Sequence, residues 1–209
     1  MADTRLLVAS RNKKKLRELR RVLDSAGISG IELVGLDEVP EFPEAPETAA
    51  TFEENALAKA RDGAAATGLP CVADDSGLEV DALEGAPGVH SARYAATANH
   101  PGNSLDEKNN AKLLAELKGR APHHRAARFR CVLALARAGQ YSQPQLFIGT
   151  CEGRIDEAPH GEHGFGYDPL FIPDVSGGDG RTFAQMSPEE KGRSSHRTRA
   201  YEQLVLQIG

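Results

Sequence analysis

Four stretches of this chain bring together side chains suited to phosphate chemistry. Asp74-Asp75-Ser76-Gly77 sets two carboxylates side by side. At a strand end, such a pair suits a hard cation such as Mg²⁺, which prefers oxygen ligands and keeps waters and substrate phosphates in its shell. One of the two could take a proton from an attacking water. A turn with a locally bonded Asp accounts for the same residues without chemistry. Ser10-Arg11-Asn12-Lys13-Lys14-Lys15 falls where a strand gives way to a helix. Exposed N–H groups and the helix dipole favour anions there, and the lysines make the place a seat for a triphosphate. The plainer reading is a helix cap with a solvated basic face. No Gly-x-x-x-x-Gly-Lys-Ser/Thr phosphate loop occurs in the chain. Gly164-Phe165-Gly166-Tyr167-Asp168-Pro169 combines two glycines with two aromatics and an acid. The aromatics offer a stacking face for a base, and Asp168 can accept from a base edge. Lys191, followed by Ser195-His196-Arg197, can grip a phosphate or a purine carbonyl. His160-Gly161-Glu162-His163 has no zinc-ligand spacing.

The elements that must position these residues follow from periodicity. Leu6-Leu7-Val8-Ala9 is an apolar run, as in a strand covered on both faces. Leu16, Leu19, Val22, Leu23 and Ala26 then recur at helical spacing up to Gly27. Residues 31–36 read as a second strand. Asp37 to Thr48 carries Pro40, Pro43 and Pro46 and reads as an extended loop. Thr51-Phe52-Glu53-Glu54 fits a capping box opening a helix that ends before Gly68. Cys71 to Ala73 predicts a short strand, a turn at Asp74–Gly77, and a second strand at 78–82. A helix over 106–117, strands over 129–136 and 146–150, and a terminal helix over 194–206 complete the reading. Mixed strands and helices of this kind indicate an α/β fold.

Composition bounds the possibilities. The chain has 209 residues with 40% hydrophobic and 26% charged, a globular balance. That length suffices for a sizeable core in one domain over residues 1–209, and no break marks an independent second domain. A net charge of −5 argues against a general nucleic-acid binder, whose affinity comes from neutralising phosphates. No apolar run approaches the length of a membrane span, and residues 1–5 lead into a strand without a secretory stretch. Cys71, Cys131 and Cys151 are scattered and odd in number, as expected of buried reduced thiols in a cytoplasmic protein.

Taken together and in order, five segments resemble one family, the inosine/xanthosine triphosphate pyrophosphatases. They are Ser10-x-Asn12-x-x-Lys15; Thr51-Phe52-x-Glu54-Asn55-Ala56-x-x-Lys59-Ala60; Ala73-Asp74-Asp75-Ser76-Gly77-Leu78 running on to Gly85-Ala86-Pro87-Gly88-x-x-Ser91-Ala92-Arg93-Tyr94; Gly164 to Pro169; and Lys191 with Ser195-His196-Arg197. They cover nearly the whole chain. The family often has Thr-Gly-Asn where this chain has Ser10-Arg11-Asn12, and Arg11 is bulkier than glycine.

The resemblance implies a long mixed sheet flanked by helices, two lobes with a cleft between them, and a homodimer. It implies Mg²⁺-dependent hydrolysis of dITP, ITP or XTP to the monophosphate and pyrophosphate. Asp75 is then the proton acceptor and a metal ligand. Ser10, Arg11, Asn12, Lys13, Lys14, Lys15 and Ser76 hold the substrate. Phe165, Gly166, Tyr167, Asp168, Lys191, His196 and Arg197 surround the nucleotide. Lys59 and Asp74 assist, Glu54 remains a helix cap, and a second acidic ligand comes from Glu41, Glu44 or Glu47. Donors to the 6-keto oxygen are expected from His196, Arg197 or N–H groups near Phe165, because adenine would leave such donors unpaired. The alternatives are a pyrophosphatase for other damaged nucleotides, a regulatory nucleotide binder without catalysis, and a nucleic-acid binder using the Lys13 to Arg21 face.

Overall fold

The computed structural model describes residues 4–43, 45–96, 104–137, 139, 144–175 and 179–208. Glu44, one candidate metal ligand, lies outside the described residues. The described residues form a six-stranded sheet in the order β2-β1-β3-β4-β5-β6. Its strands are β1 (Thr4–Val8), β2 (Ile31–Val34), β3 (Cys71–Val80), β4 (Ala126–Ala136), β5 (Gln145–Ile155) and β6 (Phe171–Pro173). β1 pairs in parallel with β2 and β3, whereas β5 and β6 are antiparallel, so the sheet is mixed. The helices are α1 (Lys13–Ser25), α2 (Phe52–Thr67), α3 (Leu105–Glu116), α4 (Pro188–Gly192) and α5 (His196–Ile208). This is the α/β class expected. No helix among the described residues is long and apolar enough to cross a membrane.

The chain divides into two compact units. The first takes residues up to Asp75, Cys131–Gly149 and Arg197 onward; the second takes Ser76–Arg130 and Thr150–His196. Each has its own apolar core. In the first, Leu19, Val22 and Leu23 of α1 and Tyr201, Leu204 and Val205 of α5 pack with Leu6 and Val8 of β1 and Leu133 of β4. In the second, Leu113 of α3 and Phe129 of β4 pack with Leu78, Ile155, Phe171 and Phe183. Phe129 and Phe171 meet with ring centroids 4.7 Å apart.

Local signals explain most boundaries. Asn12 caps α1, its side chain accepting from the Lys14 N–H at 2.9 Å. Thr51 caps α2 by accepting from the Glu54 N–H at 3.2 Å, and Gly68 closes that helix at φ 70°. The Glu54 carboxylate accepts from the Thr51 hydroxyl at 3.0 Å rather than from its backbone, so the box is not reciprocal. Gly63 lets α2 lie close against the sheet: a Cβ there would stand 2.6 Å from Cys71 Sγ and 3.2 Å from a Leu7 methyl.

Three expectations need correction. The break expected at Asp74–Gly77 is absent, and β3 runs unbroken from Cys71 to Val80. Both carboxylates have partners off the strand, so neither folds back on the local backbone as a turn requires. The second strand stops at Val34, and Leu36–Glu38 begins the proline-rich loop as a 3-10 turn. The terminal helix starts at His196, after the separate short α4. β6 is three residues long, too short to show periodicity.

Candidate active site

Asp74 and Asp75 are consecutive on β3, so their side chains leave opposite faces of the strand. They are 5% and 8% exposed, and their surroundings differ. Asp74 meets cations from α1 and α5. Lys15 Nζ lies 2.6 Å from Asp74 Oδ2, and Arg197 Nε lies 3.8 Å from the same oxygen. Arg197 is itself buried and ion-paired with Glu18 at 2.9 Å. Burial alone would raise the Asp74 pKa, but Lys15, then Arg197 and Lys59, outweigh it and hold the carboxyl well below the usual range.

Asp75 faces α2. Its Oδ2 accepts from Asn55 Nδ2 at 2.9 Å, and its Oδ1 lies 3.4 Å from Lys59 Nζ. Here burial wins over Lys59 and Asn55, and Glu47 and Asp74 push the same way, so the Asp75 pKa is raised. Lys59 stays charged: burial lowers its pKa, but Asp75, Asp74 and Glu47 more than compensate. Its ammonium also donates to the Asp74 carbonyl at 2.6 Å and to Glu47 Oε1 at 2.8 Å.

Two acidic oxygens, from Asp75 and Glu47, therefore converge on one cationic centre. Asp75 Oδ1 and Glu47 Oε1 lie 3.4 and 2.8 Å from the Lys59 ammonium. That donor set fits a further hard cation, because Mg²⁺ takes carboxylate oxygens and keeps room for phosphate oxygens. Among the described residues no cluster of three metal-ligating side chains occurs. The structure separates the described acids of the loop: Glu47 meets Lys59, whereas Glu41 lines a cavity beside α1.

That cavity, about 680 Å³, is lined by Ser10, Arg11, Lys13 and Arg17 together with acids of residues 37–41. Its size is in the ordinary range for small-molecule sites. Lys13 pairs with Asp37 at 3.0 Å on the exposed rim. Ser10 Oγ accepts from the Asn12 N–H at 3.2 Å, and Asn12 is committed to the α1 cap. Lys15 turns inward to Asp74, so the six residues do not act as one basic face. Among the described residues Glu84 is the one non-glycine with positive φ, so Arg11 adopts an ordinary backbone conformation where the family often has glycine.

In the second unit, the Gly164–Pro169 loop is fixed from inside. Asp168, 2% exposed, accepts from the Phe165 N–H at 2.9 Å and from Lys191 Nζ at 2.5 Å. Gly164 is required there: at φ +80° a Cβ would stand 2.0 Å from Asp168 Oδ2. Tyr167 is 3% exposed and its hydroxyl donates to the Ser91 carbonyl at 2.9 Å. The N–H groups of Phe165 and Gly166 are taken by Asp168 and Asp106. Of the two aromatics, Tyr167 is buried and Phe165 half-buried, and Lys191 Nζ lies 5.0 Å from the Phe165 ring centroid. His196 is 4% exposed and stacks on Phe129 at 4.9 Å. Ser76, half-buried, follows Asp75 on β3.

Sequence reasoning passed over Asn55 as a partner of Asp75. Its signal was present, since Asn55 and Lys59 stand at i and i+4 on α2 and share a face. Glu18 and Asp106 carried no such signal.

Comparison with known proteins gives a consistent answer. The sequence profile of the Ham1 family matches residues 6–207. The chain is 57% identical over 205 residues to the dITP/XTP pyrophosphatase of Nocardia farcinica, covering 98% of this chain and 95% of that one. It is 52% identical over 202 residues to the dITP/XTP pyrophosphatase of Mycobacterium tuberculosis, covering 97% and 94%. The solved HAM1 protein of Coxiella burnetii superposes with a TM-score of 0.85 at 40% identity over 98% of both chains. The Mycobacterium abscessus nucleoside-triphosphatase / dITP/XTP pyrophosphatase does so with a TM-score of 0.76 at 48% identity, over 99% of this chain and 100% of that one.

Proposed function

The chain belongs to the Ham1 family, and from that premise we infer its activity and the division of labour among its residues. It is a nucleoside-triphosphate pyrophosphatase. It hydrolyses non-canonical purine nucleoside triphosphates (dITP, ITP and XTP) to the monophosphate and pyrophosphate, clearing them from the nucleotide pool.

The observation that carries the mechanism is the split between adjacent carboxylates. Asp74 is locked among cations, whereas Asp75 keeps a raised pKa beside Asn55 and Lys59. Neighbouring acids driven apart in this way mark their roles. Asp75 is the group suited to accept a proton from the attacking water, and Asn55 orients it. Lys59 neutralises charge at the same place. The anhydride bond between the α- and β-phosphates breaks, and the leaving pyrophosphate needs its charge balanced. The residues from Ser10 to Lys15 that line the α1 cavity, with Ser76, are the seat for the phosphates. Asp75 and Glu47 would hold Mg²⁺, which when bound supplies further neutralisation of phosphate charge.

Phe165 to Asp168, Lys191 and His196 serve the nucleoside end in different ways. Phe165 supplies the stacking ring. Lys191, with donors left after Asp168, is the group we assign to the 6-keto oxygen that distinguishes inosine and xanthosine from adenosine. Asp168 and Tyr167 hold the loop and His196 stacks on Phe129, whereas Arg197, paired with Glu18 and close to Asp74, belongs with the charged groups at the phosphate end instead. A homodimer, supported by the family resemblance, is part of this reading and is checked by sedimentation. A cytoplasmic setting, supported by the three buried free thiols, is another part.

The test is pyrophosphate release with and without Mg²⁺ on dITP, XTP, ATP, GTP and dTTP, with Asp75→Asn alongside. Turnover confined to dITP and XTP and lost in the variant is expected. Activity that survives Asp75→Asn would remove Asp75 from the role of base.

A further inference from the structure

Asp106 and Asn110 stand four residues apart on α3, so their side chains share one face of that helix. Both reach the same residue of the nucleoside loop. The Gly166 N–H donates to Asp106 Oδ2 at 2.8 Å, and Asn110 Nδ2 donates to the Gly166 carbonyl at 3.0 Å. Both polar groups of Gly166 are thus held by a helix some 60 residues away in sequence and outside every segment on which the family resemblance rests.

Two further observations show that this grip is specific. Gly166 has φ +60°, a left-handed conformation that costs the backbone little only because the residue is glycine. Within the loop the Phe165 carbonyl accepts from the Asp168 N–H at 3.2 Å, and neither polar group of Gly166 takes part in that bond, so the hold on the Gly166 peptide comes from α3. Asn110 is 8% exposed, and the carbonyl it meets dictates which way its amide points. The consequence is that Asn110 Oδ1 is buried with no hydrogen-bond partner among the described residues. A buried acceptor left unsatisfied is destabilising. The side chain keeps that orientation because Nδ2 is needed at Gly166. The neighbouring Asn109 ties down the segment beneath, accepting from the Ala95 N–H at 2.7 Å and donating to the Ser91 and Ala92 carbonyls.

We propose that Asp106 and Asn110 are positioning residues for the nucleobase: they clamp the Gly166 peptide so that the Phe165 ring is presented before the substrate arrives. The proposal rests on the reading that Phe165 stacks on the base. A preorganised loop loses less freedom on binding, and it favours ground state and transition state alike. Loosening it therefore changes KM and leaves kcat alone.

Asp106 is exposed, and so it carries the test. With ITP as substrate, Asp106→Ala is expected to raise KM about tenfold with kcat within about twofold, the scale of one charge-assisted hydrogen bond. The thermal midpoint is expected to stay at the native value. Asp106→Asn keeps an acceptor for the Gly166 N–H and is expected to return KM to within about twofold of native. Asn110→Asp, which sets an acceptor against the Gly166 carbonyl, is expected to raise KM as well. Asp106→Ala added to Phe165→Ala is expected to raise KM no further than Phe165→Ala alone, since the clamp acts through that ring. If Phe165→Ala raises KM and Asp106→Ala does not, the clamp is overturned while the stacking role stands. If Asp106→Ala and Phe165→Ala effects simply multiply, the clamp is overturned as well. If Phe165→Ala itself leaves KM unmoved, the stacking role falls and the clamp falls with it.

Discussion

The two units solve different problems with different materials. In the first, function is written in charge: Asp74, Asp75, Lys15, Lys59, Glu47 and Arg197 lie within 4 Å of one another in pairs, with Glu18 holding Arg197 and Asn55 holding Asp75 from outside the group. In the second, function is written in backbone: Phe165 is presented because the peptides around it are bonded to Asp168, Asp106 and Asn110. A charge network transmits any loss to the reacting bond. A bonded loop transmits loss to where the ligand sits. The first region should therefore govern the rate of the chemical step and the second the affinity for the base.

The largest effect expected is on the charged side. Asp75→Asn should lower pyrophosphate release about 10³-fold, the usual scale for losing a general base. The same variant should be at least as stable as the native chain at neutral pH. A folded pKa above the unfolded one means that the Asp75 contribution is full below the unfolded pKa and is lost as pH rises through the folded one. Urea unfolding at neutral pH checks this.

Next is Asp74→Asn, with the opposite sign. Removing one partner of a buried ionic group costs about 3–5 kcal/mol, so the urea midpoint should fall clearly. Because the folded pKa of Asp74 is depressed, its contribution is present above the unfolded carboxylate pKa and is lost as pH falls through the folded one. Native and variant stabilities should converge only in strong acid.

Smaller again is Phe165→Ala, for which KM towards ITP should rise about tenfold at nearly constant kcat, as for loss of one base–aromatic stack. A fall in kcat of the same size would break the division between the units. The smallest effect belongs to Lys13→Ala. Its pair with Asp37 has side chains 82% and 64% exposed, so the unfolding midpoint should not move. Any change in KM should fade as salt is raised.

The contrast between regions also explains what could be read from the sequence. Helix ends were legible because caps are local: Asn12, Thr51 and Gly68 announce themselves within one turn. The chemistry-bearing residues were legible by type and spacing. The continuity of β3 was not, because two adjacent acids read as a turn until their partners on α1, α2 and α5 are known. Asp168 read as a base contact, yet its carboxylate is spent on Phe165 and Lys191. Glu47 stood level with Glu41 and Glu44 until Lys59 singled it out. The Gly166 clamp was invisible, because nothing in residues 105–116 signals which distant peptide they will meet.

Gly63 gives α2 a mechanical role. With Ala60 and Ala64 it forms a seam of small residues on which the helix is seated, and the clearance is less than one methyl group. Asn55 and Lys59 project from the same rod, two turns and one turn toward its start. The seat therefore works as a datum surface: the aim of the two side chains at Asp75 is set by how deeply the helix rests on Cys71 and Leu7. A shim of one carbon at Gly63 would lift the rod, and the misalignment would appear at the catalytic carboxylate, far from the carbon that caused it.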